Sequence, residues 1–144
     1  MEVSKFFALL VLIACSKADA RLQEGYGRFE IKNTMPERSP DSVGVRCKRP
    51  GLDLQEVVLY PSDVLLHDFY ADERVSDGWS CDFNWYDGTL SAVKMAQEFL
   101  VWNKNGSSPY LESCDRCRWK VRESGFYLYK DSKTWTLVFK WNEI

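Results

Sequence analysis

The chain is poor in histidine, with only His67 among its 144 residues. A ribonuclease mechanism that needs two histidines is therefore excluded, and a Ser-His-Asp triad would rest on this one residue. Apolar neighbours on a predicted strand favour a structural role for His67 instead. Four carboxylates could serve a glycosidase, but they lie close together in a chain too short to imply a deep cleft: Asp63, Asp68, Asp72 and Glu73. We therefore expect no enzymatic activity.

Long apolar runs are also scarce. The run from Phe6 to Cys15 is far shorter than the roughly 20 residues that a membrane-spanning helix needs, and no later segment approaches that length. Lys5 precedes this run, and Ala18-Asp19-Ala20 follows it with the small-x-small pattern of a signal-peptidase site. The sequence predicts a signal peptide over residues 1–20, cleavage after Ala20, and secretion without insertion into a membrane.

An excess of charge of either sign is missing as well, since 19 lysines and arginines and 21 aspartates and glutamates give a net charge of −2. The chain thus has no global electrostatic field for nucleic acid or anionic lipid. Aromatic residues make up 15% of the chain, which excludes disorder and suits a packed core. We predict one secreted domain over residues 21–144, a length too short for two, and expect a monomer.

Apolar residues after residue 20 repeat with period two rather than 3.6, and Gly, Pro, Asn or Asp interrupts them about every ten residues. In the clearest run, Trp79, Cys81, Phe83 and Trp85 share one face, and Asp87-Gly88 ends the strand. The other predicted strands are 29–32, 43–48, 57–60, 65–70, 98–102, 116–122, 126–129 and 134–141.

In residues 91–102, a helical spacing competes with a strand pattern over residues 98–102, and we prefer the strand. The helical spacing joins Ala92, Met95, Ala96 and Phe99. With about eight strands, a single core and sheet edges to protect, we predict an all-β fold, a small antiparallel β-sandwich. In its terminal hairpin we expect one side of the last strand to carry Trp135, Leu137, Phe139 and Trp141.

The cysteine count predicts two disulfides. Removal of the signal peptide takes away Cys15 and leaves an even number of cysteines in an oxidising compartment: Cys47, Cys81, Cys114 and Cys117. Three pairings of this set are open. Cys81 and Cys117 both lie on apolar faces beside tryptophans, so we prefer Cys81 with Cys117 and Cys47 with Cys114. The odd spacing of Cys114 and Cys117 points their side chains to opposite faces if one strand holds both, which argues against a bond between them.

The Cys114-Asp115-Arg116-Cys117 segment could also be a redox centre or half of a zinc site. A thioredoxin-like motif needs the start of a helix in a βαβ unit, and a structural zinc site needs a second close pair. Cys47 and Cys81 stand alone, and the chain has one histidine. We therefore expect neither a metal nor a cofactor.

Several surface features are candidates for recognition. Three polar segments are long enough between strands to serve as recognition loops: Asn33–Asp41, Tyr70–Asp77 and Asn103–Pro109. Asn105 begins an N-glycosylation sequon, Asn105-Gly106-Ser107. One strand face carries four cations, Arg116, Arg118, Lys120 and Arg122. That face could meet an acidic partner or pectin, although we prefer a solvated face offset by nearby Asp and Glu.

Five segments occur in a distinctive order and spacing: Val43–Lys48, His67–Phe69, Trp79–Trp85, Cys114–Val121 and Gly125–Tyr127. Together with the signal peptide they resemble the plant self-incompatibility S-protein homologue family over nearly all of residues 21–144. The Cys-x2-Cys-x-Trp block and the following glycine are the most specific part. Residues 75–80 depart from the Thr-Leu-Phe-Trp-like run that is usual there. The resemblance implies a small secreted β-sandwich with two disulfides.

In the self-incompatibility branch of that family, members are stigma-secreted ligands that trigger rejection of self pollen through a membrane receptor of the pollen. The resemblance therefore implies an extracellular signalling ligand for a plasma-membrane receptor. One alternative is an extracellular carbohydrate-binding module, which exposure of Tyr70, Tyr86 or Trp102 would favour. Another is an inhibitor of a secreted hydrolase, which would need a rigid exposed loop.

Overall fold

The computed structural model describes residues 26–70, 78–88, 90, 92–103, 110–111, 114, 116–130 and 133–143. The predicted signal peptide at residues 1–20, the predicted cleavage site after Ala20 and the predicted glycosylation site at Asn105 lie outside the described residues. Nothing helical in the described part of the chain has the length and apolar character that a membrane crossing needs.

Strands make up the regular structure of the described residues. In chain order they are β1 (Tyr26–Asn33), β2 (Ser42–Arg49), β3 (Leu52–Asp53), β4 (Val57–Leu59), β5 (Val64–Tyr70), β6 (Trp79–Asp87), β7 (Ala92–Trp102), β8 (Arg116–Arg122), β9 (Gly125–Lys130), β10 (Thr134–Phe139) and β11 (Asn142–Glu143). Apart from the short strands β3, β4 and β11, each has six residues or more. The predicted all-β class is confirmed, as is the preference for a strand over residues 98–102.

The strands form two sheets. One has five strands in the order β10-β9-β8-β1-β5, and the other has six, in the order β11-β7-β6-β2-β3 with β4 also paired to β2. Strand β1 runs parallel to β8, with Phe29 opposite Cys117, and the other described pairings are antiparallel. The predicted sandwich was purely antiparallel and so missed this pairing. Parallel neighbours need a long connection, and here strands β2 to β7 lie between them in sequence.

Aromatic side chains from both sheets meet in one core. The ring centroid of Phe99 on β7 lies 4.9 Å from that of Phe83 in its own sheet, and 4.8 and 4.6 Å from those of Trp119 and Phe139 in the other. The Trp119 indole N–H also donates to the Val101 carbonyl across the sheets, at 3.0 Å. A fully buried phenylalanine side chain contributes about 1.5–3 kcal/mol by leaving water. These rings therefore hold the two sheets together as a sandwich.

Strand β10 changes face part-way along its length. A register shift between Leu137 and Phe139 interrupts its pairing with β9. Trp135 and Leu137 consequently lie on the outer face beside two tyrosines of β9, whereas Phe139 and Trp141 pack in the core. The prediction that these four residues share one side is wrong, because a β-bulge adds a residue and inverts the alternation that follows it.

The structure overturns the preferred cysteine pairing. Cys47 is bonded to Cys81 and Cys114 to Cys117, with Cα–Cα distances of 4.0 and 5.3 Å. Cys47 and Cys81 are directly opposite each other on the neighbouring strands β2 and β6. Cys114 precedes the start of β8 at Arg116, so the alternation of faces along a strand does not apply to it. Two disulfides are present as predicted, but the pairing of Cys47 with Cys114 and of Cys81 with Cys117 is wrong.

Candidate recognition surface

The predicted recognition loop from Asn33 to Asp41 is held at both ends. The buried Asn33 amide donates to the Leu59 carbonyl at 2.9 Å, and its oxygen accepts from the Met35 N–H at 2.9 Å. At the other end, the Asp41 carboxylate accepts from the Trp85 indole N–H at 3.0 Å. Side-chain hydrogen bonds that are buried or half-buried favour one conformation of a loop. The loop is therefore preorganised, with its exposed tip at residues 36–38.

Neighbouring turns join this loop to form one continuous end of the sandwich. The Ser62 N–H donates to the Asn33 carbonyl at 2.8 Å, and the Thr34 N–H donates to the Val121 carbonyl at 2.9 Å. The Asp41 carboxylate also accepts from the Gly88 N–H at 3.2 Å. We call this surface the loop end, and define it as residues 34–41, 60–63, 88, 90 and 123–124. It presents the charged tip of residues 36–38 beside two partly exposed apolar residues, Tyr60 and Leu90.

The other two predicted recognition loops begin at the opposite end of the sandwich. Tyr70 is paired with Tyr26, at the start of β1, whereas Asn33 ends that strand. Trp102 is paired with Trp79, and its ring lies 4.6 Å from Phe69 at the same end as Tyr70. Residues 71–77 and 104–109 are outside the described residues. Tyr70 and Trp102, the described residues at these two loops, therefore lie away from the loop that follows Asn33.

His67 occupies an aromatic environment at one edge of the core. Its ring centroid lies 4.8 Å from that of Trp79 and 5.9 Å from that of Phe69. Burial lowers its pKa below the ordinary value, against the opposing effect of Asp68. Asp68 itself lies on the outer face of β5, where its carboxylate accepts from the Arg28 guanidinium at 2.9 Å. The histidine and the neighbouring carboxylate therefore face different environments and do not form a catalytic pair.

Of the remaining carboxylates considered for catalysis, Asp63 is the one that the structure describes. Asp63 accepts from the Tyr60 N–H at 3.0 Å and so stabilises a turn of the loop end. Asp72 and Glu73 lie outside the described residues. Among the described residues, no group of three or more His, Cys, Asp or Glu side chains is placed to hold a metal ion.

A carboxylate pair on the outer face of the six-stranded sheet was not singled out from the sequence. Asp82 and Glu98 are directly opposite each other on β6 and β7. The Lys48 ammonium lies 3.7 Å from Asp82 and 3.5 Å from Glu98. Burial and the adjacent Glu98 raise the pKa of Asp82. The outward positions of two alternating strands could have indicated this pair, and the bridging lysine gives it a structural role.

The four cations of β8 lie on the outer face of the five-stranded sheet, as the alternation predicted. The Arg118 guanidinium donates to the Glu30 carboxylate at 2.9 Å, so the expected acidic neighbour is present at that position. Lys120 instead has another cation, Lys32, directly opposite it on β1. The prediction of a face offset by nearby acids therefore holds for one part of the strand and not for the next.

The three residues whose exposure would favour a carbohydrate-binding module are separated from one another. Tyr70 is 60% exposed and packs edge-on against Tyr26. Trp102 is buried in the core. Tyr86, which is half-buried on β6 of the six-stranded sheet, donates its hydroxyl to Glu56 at 2.8 Å. These rings do not form a platform on which a sugar could stack.

Comparison with known proteins gives two findings. The family described as Plant self-incompatibility protein S1 matches residues 28–141. A solved structure of SPH (self-incompatibility protein homologue) proteins matches with a TM-score of 0.59 and 18% sequence identity. Those proteins are described as a widespread family of small, highly stable, secreted proteins from plants. The match covers 82% of this chain and 96% of that one. No curated protein sequence matches the chain.

Proposed function

Because the chain belongs to the plant self-incompatibility protein S1 family, we propose that it is a secreted ligand for a cell-surface receptor. Secretion follows from the predicted signal peptide and is supported by the two disulfides, which persist in oxidising compartments. The solved SPH structure is likewise described as that of secreted plant proteins. The proposal assigns no catalytic activity to the protein.

The preorganised loop from Asn33 to Asp41 is the observation that carries this proposal. Its ends are fixed by buried and half-buried hydrogen bonds, so little conformational entropy is lost when a partner binds. Its tip presents Glu37 and Arg38 to solvent. A rigid scaffold that displays charged loops is a common arrangement in recognition domains. We propose that the receptor contacts the loop end.

Binding of the labelled, disulfide-intact protein to plasma membranes from plant tissues tests this proposal. We expect saturable binding that protease treatment of the membranes abolishes. A charge-swapped variant of the loop tip, E37K/R38E, should bind at least about tenfold more weakly, since charged hydrogen bonds at an interface contribute about 1.5–3 kcal/mol each.

The matched control swaps a charge pair elsewhere while keeping the net charge. Arg46 and Asp53 pair at 2.8 Å on the edge of the six-stranded sheet, and the R46D/D53R variant should bind like the wild type. Equal loss of binding in both variants would show that the receptor does not contact the loop end. Absence of any saturable, protease-sensitive binding would overturn the receptor proposal, and tight inhibition of a secreted hydrolase by the same loop would replace it.

A further inference from the structure

We propose that the outer face of the five-stranded sheet binds an acidic polysaccharide, through a basic cluster formed by Lys32, Lys120 and Arg122. This proposal is independent of the receptor proposal, because it uses different residues and a different class of partner, although Arg122 adjoins Glu123 of the loop end. Lys32 lies on β1, and Lys120 and Arg122 lie on the adjacent strand β8. The cluster therefore exists only in the folded sheet.

The register places like charges directly against each other. Lys32 on β1 is the partner of Lys120 on β8, and Arg122 follows on the same face of β8. Like charges opposite each other destabilise a sheet. Burial, followed by the neighbouring cations Arg122, Lys32 and Arg118, lowers the pKa of Lys120. The folded protein thus holds an electrostatic repulsion that a bound anion would relieve.

The acidic side chains that the strands place on this face are already engaged elsewhere. Glu30 accepts from Arg118 at 2.9 Å, and Asp68 accepts from Arg28 at 2.9 Å. The strand neighbour of Lys32 on the other side is the partly exposed Val64, which carries no charge. Among the described residues of these strands, Arg28 and Arg118 are therefore paired with acidic side chains of the sheet, whereas the basic cluster is not.

Aromatic rings hold the cations of this face in place. The Lys120 ammonium lies 4.1 Å from the ring centroid of Trp135, and the Arg122 guanidinium lies 5.2 Å from that of Tyr127. Cation–π contacts of this kind restrict long, flexible side chains, which lowers the entropic cost of binding an anion. The half-buried Trp135 and Tyr127 also place apolar surface beside the charges, against which the C–H groups of a sugar can pack.

The spacing of the cations favours a polymer over a small anion. Outward residues on β8 repeat every second position, roughly 6.7 Å apart along the strand, and the four outward residues are cations from Arg116 to Arg122. An extended polymer that carries a carboxylate on each sugar can meet several of them at once. The row of cations along β8 and the flanking rings favour a polysaccharide over an acidic polypeptide, and we commit to that partner.

Calorimetric titration with polygalacturonate tests this assignment, with highly methyl-esterified polygalacturonate as the uncharged control polymer. We expect the protein to bind the free-acid form, with an affinity that falls as the salt concentration rises. We expect no binding to the methyl-esterified polymer. The K32Q/K120Q variant should bind at least about tenfold more weakly, because two charge-assisted contacts are lost. It should remain as stable as the wild type or become more stable, because the repulsion is gone.

The K94Q/K140Q variant is the matched control, since it removes the same net charge at positions outside the five-stranded sheet, and it should bind like the wild type. Equal weakening in both double variants would overturn the proposal in favour of attraction by net charge. Tighter binding of polyglutamate than of polygalacturonate would replace the polysaccharide with an acidic protein. No binding at low salt would also overturn it. The E37K/R38E variant should keep its polygalacturonate binding, so failure of either proposal leaves the other intact.

Discussion

Separate removal of the two disulfides should destabilise the protein to different extents. The Cys47–Cys81 bridge joins residues separated by 34 positions, and the Cys114–Cys117 bridge joins residues separated by 3. A crosslink lowers the entropy of the unfolded chain by an amount that grows with the logarithm of the loop length. That relation gives about 4 kcal/mol for the longer loop and about 2 kcal/mol for the shorter. We therefore expect C47A/C81A to be less stable than C114A/C117A by about 2 kcal/mol.

Guanidinium unfolding monitored by tryptophan fluorescence measures this difference, because Trp79 and Trp119 are fully buried and change environment on unfolding. With a denaturant dependence of about 3 kcal/mol per M, the midpoint should fall by about 1.3 M in C47A/C81A and about 0.7 M in C114A/C117A. The reduced and alkylated wild type provides the lower reference. Each variant keeps one native disulfide, so each measures the contribution of the other disulfide to stability.

Two results would refute the reasoning. Equal losses in the two variants would mean that loop length does not control the contribution of these bridges. Peptide mapping under non-reducing conditions tests the connectivity itself, and a peptide that links Cys47 to Cys114 would contradict the bonding of Cys47 to its strand neighbour Cys81.

Two further predictions concern buried polar groups. N33A removes the hydrogen-bond partner of the Leu59 carbonyl and of the Met35 N–H, and should lower the free energy of unfolding in denaturant by about 2–4 kcal/mol. The control N142A changes an exposed residue and should lower it by less than about 0.5 kcal/mol. Equal losses in the two variants would contradict the anchoring role of Asn33. Because burial lowers the pKa of His67 in the folded state, the unfolded state binds more protons, so stability should fall as the pH drops through about 6.5. H67Q should flatten that part of the pH profile, and an unchanged slope in H67Q would assign it to other groups.

Alternation along single strands was the part of the fold that could be predicted. On β6 the predicted inward set from Trp79 to Trp85 is buried, and on β8 the cations point outward. These predictions succeeded because successive side chains of any strand point to opposite faces, whatever its neighbours are. The same rule failed at β10, where the bulge between Leu137 and Phe139 breaks the alternation without a sequence signal that we recognised.

Strand neighbours and register could not be predicted in the same way. The pairing of Cys47 with Cys81 and the parallel contact of β1 with β8 both join residues distant in sequence. Their choice depends on how both sheets pack into one core. The family resemblance indicated the fold and the number of disulfides. The wrong cysteine pairing came from joining Cys81 to Cys117 because both lie on apolar faces, and from applying strand alternation to Cys114 when weighing a bond to Cys117.

By itself, the sequence determined that this protein is an all-β member of its family with inward rings, inward cysteines and one cationic strand face, because these properties follow from local alternation and ordered motifs. Only the tertiary structure decided that Lys32 lies opposite Lys120, and that the loop after Asn33 lies at the far end of the sandwich from Tyr70. The physical reason is that a strand's own backbone sets the direction of its side chains, whereas long-range packing selects the strands beside it.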